Sequence, residues 1–257
     1  MPIPATNLFL SKLSPTVRDT LLRRASAVEL PVGTALYDGS APPRYAHFLL
    51  SGLASVVTPM PNGDAAEIGM IGREGVVGAV HLLGDTPLGT LCFMQLDGNG
   101  LRIPFGDFHT SFENSTELRT HLLHFVQQEI TMVAQIAGCN RLHEAEQRLA
   151  RWLLMSQDRT GYETLKFTQE YLSQMLGTQR TTVTLIAGQL QQRGLIQHSR
   201  GAIHIVDRSG LEAAACPCYA VIRRAYATAH ISVTPNSAHH PQGPSAPHGS
   251  SQSAPVE

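Results

Sequence analysis

The residues from Gln179 to Gln192 carry hydrogen-bonding chemistry on one side only. Gln179 and Arg180 begin the run, and Thr181, Thr184, Gly188 and Gln192 follow at helical spacing. None of them is acidic. Val183, Ile186, Ala187 and Leu190 take the other side at i, i+3, i+4 and i+7, the spacing of one buried helix face. A helix with short polar side chains, no carboxylate and an arginine at its start suits the edges of DNA bases. Arginine can take two acceptors on guanine, and short hydroxyls and amides can serve as donor or acceptor. Leu185, on the same side, offers only apolar contact, as to a thymine methyl.

Such a helix needs elements that aim it. Lys166 to Ile205 supplies them in order. Thr168 can cap a first helix, because its hydroxyl can accept from an unpaired amide of the first turn. Leu172, Met175 and Leu176 give that helix an apolar stripe. Gly177 tolerates the left-handed backbone of a tight turn, and Thr178 can cap the second helix. Gly194 ends it, Leu195 and Ile196 begin a strand, Ser199-Arg200-Gly201 turns, and Ala202 to Ile205 returns. This is the pattern of a helix-turn-helix with a β-wing, whose second helix would lie in a major groove. The residues expected to meet DNA are Thr168, Gln179, Arg180, Thr181, Thr182, Thr184 and, from the wing, Arg200.

Charge supports this reading. The 257 residues carry a net charge of −1, unevenly spread. Met1 to Asn140 holds 8 Lys/Arg against 12 Asp/Glu, whereas Arg141 to Ile231 holds 11 against 7. A basic segment on an acidic chain is the electrostatic footprint of a DNA-binding domain. At 42% hydrophobic and 15% charged, the composition is that of a soluble globular protein. No apolar run is long enough to span a bilayer. The first residues have neither a charged start nor a long apolar core, so no secretory signal is expected. The expected location is the cytoplasm.

Other residues with chemical potential are sparse. Cys92, Cys139, Cys216 and Cys218 are too few and too scattered for a disulfide framework. Cys216-Pro217-Cys218 could suggest a metal or redox pair, but it reads rather as two ordinary thiols near a helix start, and no metal site or cofactor is expected. A β-roll enzyme, such as a cupin-like metal-dependent one, would need two or three histidines and a carboxylate converging in a barrel. His47, His81 and His109 are dispersed and form no His-x-His pair. No catalytic residue is therefore assigned. A third reading, a nucleotide-binding regulatory subunit that does not touch DNA, is disfavoured by the basic wing and Arg180.

The chain in order reads as an α+β protein. Asn7 to Ala27 has helix-like apolar spacing. Glycine-punctuated apolar runs follow, with strands at Val28 to Leu30, His47 to Leu50, Leu53 to Thr58, Ile68 to Ile71, Gly89 to Leu96 and Gly100 to Ile103. Asn62-Gly63-Asp64 suits a hairpin turn. Many short strands with regular turn signals predict a β-roll or jelly roll over residues 8–114. Residues 115–138 read as a long helix capped by Ser115. Leu123, Val126, Ile130, Val133 and Ala137 step by three and four, the seam of a coiled coil. Leu118, Leu122 and Phe125 form a second stripe that can pack on the roll. Gly138-Cys139-Asn140 is expected to break the helix, with Asn140 capping the next. The winged domain then spans 140–208, a last helix 209–231, and 232–257 reads as a disordered tail.

This order of parts resembles the Crp–Fnr family of bacterial transcription regulators. The resemblance covers about Leu8 to Arg224. It is most specific at Glu146-Gln147-Arg148-Leu149-Ala150, Leu172-Ser173-Gln174-Met175-Leu176-Gly177 and Arg180-Thr181-Thr182-Val183. It implies a homodimer on a pseudo-palindromic operator, with half-sites roughly one helical turn apart, and RNA polymerase as a further candidate partner. Cyclic-AMP-binding members of the family carry a cassette whose glutamate holds the ribose and whose arginine pairs with the phosphate. In the matching run, Ala79 stands at the glutamate position and Gly89 at the arginine position. No Lys or Arg lies between Glu74 and Leu101. The effector pocket, expected at Gly78, Ala79, His81, Gly89 and Thr90, is thus not expected to take cyclic AMP. Iron–sulfur members use clustered N-terminal cysteines, which this chain lacks. Haem-binding members use a histidine near the cassette, but His81 in its apolar run reads as a packed residue.

Overall fold

A computed structural model describes residues 6–228 apart from positions 62, 85, 168 and 200. Two short helices, α1 (Leu8–Ser11) and α2 (Pro15–Leu22), open the chain. The single helical run expected from Asn7 to Ala27 is therefore split, because Pro15 begins a new helix at its N1 position. Seven strands follow: β1 (Ser26–Leu30), β2 (Ala35–Tyr37), β3 (Tyr45–Leu49), β4 (Leu53–Pro59), β5 (Ala65–Ile71), β6 (Leu91–Leu96) and β7 (Gly98–Pro104). A 3-10 turn, Ala79–Leu83, lies between β5 and β6. The strands form two antiparallel sheets, β1-β7-β3 and β2-β6-β4-β5. The expected hairpin turn joins β4 to β5; Asn62 itself lies outside the described residues, while Gly63 has φ of 88°.

The roll closes around an aromatic core. Phe9, Phe48 and Phe108 are fully buried there, with Leu118 and Leu122 from the following helix. Helix α3 (Phe105–Asn114) leads into α4 (Thr116–Leu142), which Ser115 caps by accepting from the Leu118 amide at 3.2 Å. Close approach of α4 to the roll depends on Gly75. A Cβ there would sit 2.6 Å from the Phe125 ring.

Helix α4 corrects an expectation. It runs unbroken through Gly138, Cys139 and Asn140 to Leu142. One glycine costs a helix interior only about 1 kcal/mol. Burial of Met132, Ile136 and Cys139 on the same helix outweighs that. The next helix, α5 (Ala145–Thr160), is capped at Glu144, not Asn140; the Glu144 amide donates to Gln147 Oε1 at 3.3 Å.

The C-terminal part contains β8 (Thr164–Leu165), α6 (Gln169–Leu176), α7 (Arg180–Gln192), β9 (Ile196–Ser199), β10 (Ala202–Ile205), α8 (Arg208–Ala214) and α9 (Cys218–Thr228). The three strands pair in the order β8-β10-β9. The last helix, expected as one piece, is two. Proline lacks an amide and disfavours helical geometry in the residue before it, so Pro217 separates α8 from α9. The chain beyond Thr228, including the expected tail, lies outside the described residues.

The second core does not stop at a domain boundary. Leu53, Val57, Met70 and Leu96 of the roll join Met132 and Ile136 of α4 and Trp152, Phe167, Leu172 and Val183 of the C-terminal part. Trp152 packs edge-on to Phe167 at 4.6 Å, Phe167 stacks on Tyr171 at 6.0 Å, and Tyr171 meets Phe93 of the roll at 6.3 Å. Polar bonds accompany the packing. Trp152 Nε1 and Ser55 Oγ each donate to Glu67 at 2.6 Å. Burial pushes the Glu67 carboxyl up to about 7, against those two hydrogen bonds and the nearby Arg151 and Arg159.

Candidate nucleic-acid interface and effector cavity

Helices α6 and α7 form the expected corner. Gly177 sits between them with φ of 57°, a conformation an L side chain adopts at a cost. The Thr178 amide donates to the Ser173 carbonyl at 3.0 Å, which closes the turn. The cap of α7 differs from expectation: its N-cap residue is Gln179, with no side-chain bond, so Thr178 does not cap it. Val183, Ile186, Ala187 and Leu190 are all buried, as their spacing predicts. The opposite side is turned out. Gln179, Arg180, Thr181 and Thr184 are exposed, Thr182 is half-buried, and Leu185 is 62% exposed.

Arg180 stands at the start of this face and pairs with Glu170 in the first turn of α6. The Thr184 hydroxyl donates to the Arg180 carbonyl at 3.0 Å. The wing forms as expected, with Ala202 opposite Ser199 and Ile205 opposite Ile196. Its tip residue Arg200, like Thr168, lies outside the described residues. The interface thus presents one cation, several hydroxyls and amides, and an apolar spot, all on a convex helix.

A cavity of about 240 Å³ lies between the roll and α4. Of the five residues named for an effector pocket, Gly78, Ala79 and Thr90 line it and His81 and Gly89 do not. His81 is buried instead against the Tyr37 ring at 4.8 Å and the Phe105 ring at 6.3 Å. The walls are apolar, among them Ile71, Val76, Phe125 and Val133, and no Lys or Arg contributes. Arg102 lies over the Tyr45 ring at 4.6 Å and Arg73 reaches toward the Arg159 carbonyl; neither lines the cavity. The one carboxyl is Glu129, pushed up to about 7 by burial and accepting from the Tyr226 hydroxyl at 2.6 Å. Tyr226 belongs to α9, so the cavity wall is bonded to the C-terminal part. The Arg159 guanidinium lies over the same Tyr226 ring at 4.6 Å and pairs with Glu74 at 3.1 Å.

The expected seam on α4 is partly corrected. Ile130 is 60% exposed, and Leu123 and Ala137 lie one heptad on either side of it. Val133 is half-buried. Val126 is only 4% exposed and joins the roll core with Leu118, Leu122 and Phe125. The outward stripe is therefore Leu123, Ile130 and Ala137, a strict seven-residue repeat, and Val126 belongs to the inward one.

Comparison with known proteins agrees with the geometry. Residues 147–214 match the Crp-like helix-turn-helix domain. The fold is shared with several solved regulators. FixK2 from Bradyrhizobium japonicum aligns with a TM-score of 0.65 at 14% identity, over 75% of this chain and 98% of that one. The c-di-GMP-responsive global regulator CLP from Xanthomonas campestris aligns at 0.61 and 14%, over 75% and 99%. A CRP/FNR-family regulator from Thermus thermophilus aligns at 0.58 and 23%, over 74% and 98%. A search of curated protein sequences gave no match. The matched region is a Crp-like helix-turn-helix domain, and the chain as a whole shares its fold with these regulators. Its parts stand in the same order as in those structures: a β-roll, a long helix and a winged helix-turn-helix. Among the described residues no helix is long and apolar enough to cross a membrane.

Proposed function

We propose that the chain acts in the cytoplasm as a homodimer that reads a pseudo-palindromic operator through α7, without cyclic AMP as its effector. The observation that carries the DNA reading is the exposed face of α7, headed by Arg180 and free of acids. On DNA, Arg180 would exchange the Glu170 carboxylate for guanine acceptors. Exposed ion pairs hold about 0–1 kcal/mol, and a bidentate base contact is worth about 1–3 kcal/mol, so the exchange is favourable. Arg180→Ala is expected to weaken operator binding by about 1–3 kcal/mol and to relax preference at one base pair per half-site. A gel-shift series over variant operators at two salt concentrations reads both effects. Unchanged base preference in the variant would refute the placement of α7.

The effector reading rests on the walls of the cavity. A cyclic phosphate placed there would lose water and find no cation, and Ala79 offers no acceptor for a ribose hydroxyl. Isothermal calorimetry should therefore detect no cyclic AMP or cyclic GMP binding at micromolar concentrations, and added cyclic AMP should leave operator affinity unchanged. Tight binding with raised operator affinity would overturn this reading. The apolar walls and the single carboxyl, Glu129, fit a small, mostly apolar ligand with one donor.

A further inference from the structure

Four side chains from distant parts of the sequence meet at the base of the C-terminal part. Cys139 and His143 lie one turn apart at the end of α4, so they share a face. Cys216 and Cys218 flank Pro217 in the elbow between α8 and α9. The ligating atoms of all four lie within 4.8 Å of one another. Cys139 Sγ is 3.4 Å from Cys216 Sγ, and Cys218 Sγ is 3.5 Å from His143 Nδ1. The three thiols are buried and His143 is half-buried at the edge. Among the described residues, no other histidine, cysteine or carboxylate group converges in this way.

We propose that Cys139, His143, Cys216 and Cys218 form a tetrahedral site for a single zinc-like divalent ion. Three thiolates and one imidazole are a common structural zinc set. Around one ion with bonds of about 2.3 Å to sulfur and 2.0–2.1 Å to nitrogen, tetrahedral edges are about 3.8 Å between sulfurs and about 3.6 Å from sulfur to nitrogen. The two recorded edges, 3.4 and 3.5 Å, are close to those lengths, and the remaining four are no longer than 4.8 Å. A multi-iron cluster would hold its ligand sulfurs farther apart than one ion does.

The surroundings fit the charge. Three thiolates around a divalent ion leave one net negative charge. The Arg151 guanidinium, buried in α5, places a positive charge close enough to act on both Cys139 and Cys216. Its Nε has no hydrogen-bond partner, which a nearby anionic centre would explain. Gln135 of α4 donates to Cys218 Sγ at 3.0 Å, an outer bond of the kind that orients a ligand. On binding, each thiol loses its proton to solvent and its sulfur supplies the electron pair of the new bond; no oxidant or reductant takes part.

The position gives the site its meaning. Its ligands bracket residues 147–214, two before the winged module and two after it. One ion would fasten the end of α4 to the elbow that carries α9, and so fix the module at its base.

Cobalt(II) reports the geometry directly, and the full chain purified under reducing conditions is the material. Titration should give one ion per chain, a near-ultraviolet thiolate-to-cobalt band and the intense visible bands of tetrahedral cobalt. Zinc(II) should displace it and raise the melting temperature. Cys216→Ser and Cys218→Ser should each weaken cobalt binding by about tenfold or more, while Cys92→Ser, in the roll, should not. A pale six-coordinate spectrum in the unaltered protein overturns the proposal without any variant. So does binding that Cys216→Ser leaves intact, a Cys139–Cys216 disulfide that persists in reducing buffer with no bound metal, or iron accompanied by acid-labile sulfide.

Discussion

Ile130→Glu is expected to turn the proposed dimer into monomers and to weaken binding to an operator with two half-sites to the level of a single half-site. The side chain is 60% exposed in a single protomer, so the substitution should leave each chain folded. The far-ultraviolet dichroism and melting midpoint should stay close to those of the parent. In a parallel two-stranded seam each position meets its counterpart on the other helix, so two carboxylates would meet at a site from which water is excluded. Losing the tether between two reading heads typically lowers avidity by about 10²- to 10⁴-fold. Sedimentation at micromolar protein measures assembly, and gel-shift on whole and half operators measures the second effect. The half-site should bind the variant and the parent protomer alike. A variant that still sediments as a dimer would place the seam elsewhere on the molecule.

Trp152→Ala should carry the largest cost to stability. Trp152 is buried, packs against Phe167 and donates to the buried Glu67 of β5. Removing a large buried aromatic costs about 3–5 kcal/mol. Trp152→Phe separates the two contributions, since it keeps a ring against Phe167 but removes the donor. It should cost about 1–3 kcal/mol, the usual penalty for stranding a buried polar group. Glu67→Gln added to Trp152→Phe should recover part of that loss, because a neutral amide is less costly to leave under-bonded than a carboxylate. Urea unfolding of the parent, Trp152→Phe, Glu67→Gln and the double variant decides it. Strictly additive costs would mean that the two residues do not act as a pair.

Much of the architecture was legible in the residues because it rests on local signals. Glycine punctuation located the strands of the roll. The i, i+3, i+4, i+7 set from Val183 to Leu190 located the buried face of α7, and the helix-turn-helix followed. The errors have a common cause. Gly138-Cys139-Asn140 has the composition of a helix end, yet tertiary burial of its neighbours carries α4 through it. Val126 satisfies both the seam and the roll by spacing alone, and only the curvature of the roll decides. The contact between Trp152 and Glu67 joins residues 85 positions apart, and nothing local marks either one. The thiol–imidazole group was missed for the same reason: Cys139 and Cys216 are separated by 77 positions. Two clues were present, the i, i+4 pair Cys139 and His143 at a helix end and the Cys-Pro-Cys elbow, but neither suffices without the fold that joins them.

Ile130 serves two surfaces at once. It lines the cavity under the roll, and it lies on the outward stripe of α4. A second chain laid along Leu123, Ile130 and Ala137 would therefore roof the chamber it abuts. Assembly and occupancy of the chamber are then linked equilibria, and thermodynamic reciprocity requires each to alter the other by the same factor. In the proposed dimer the concentration of the protein itself would become an input to any ligand response: a cell holding more copies would half-saturate them at a different ligand level, with no change in any residue.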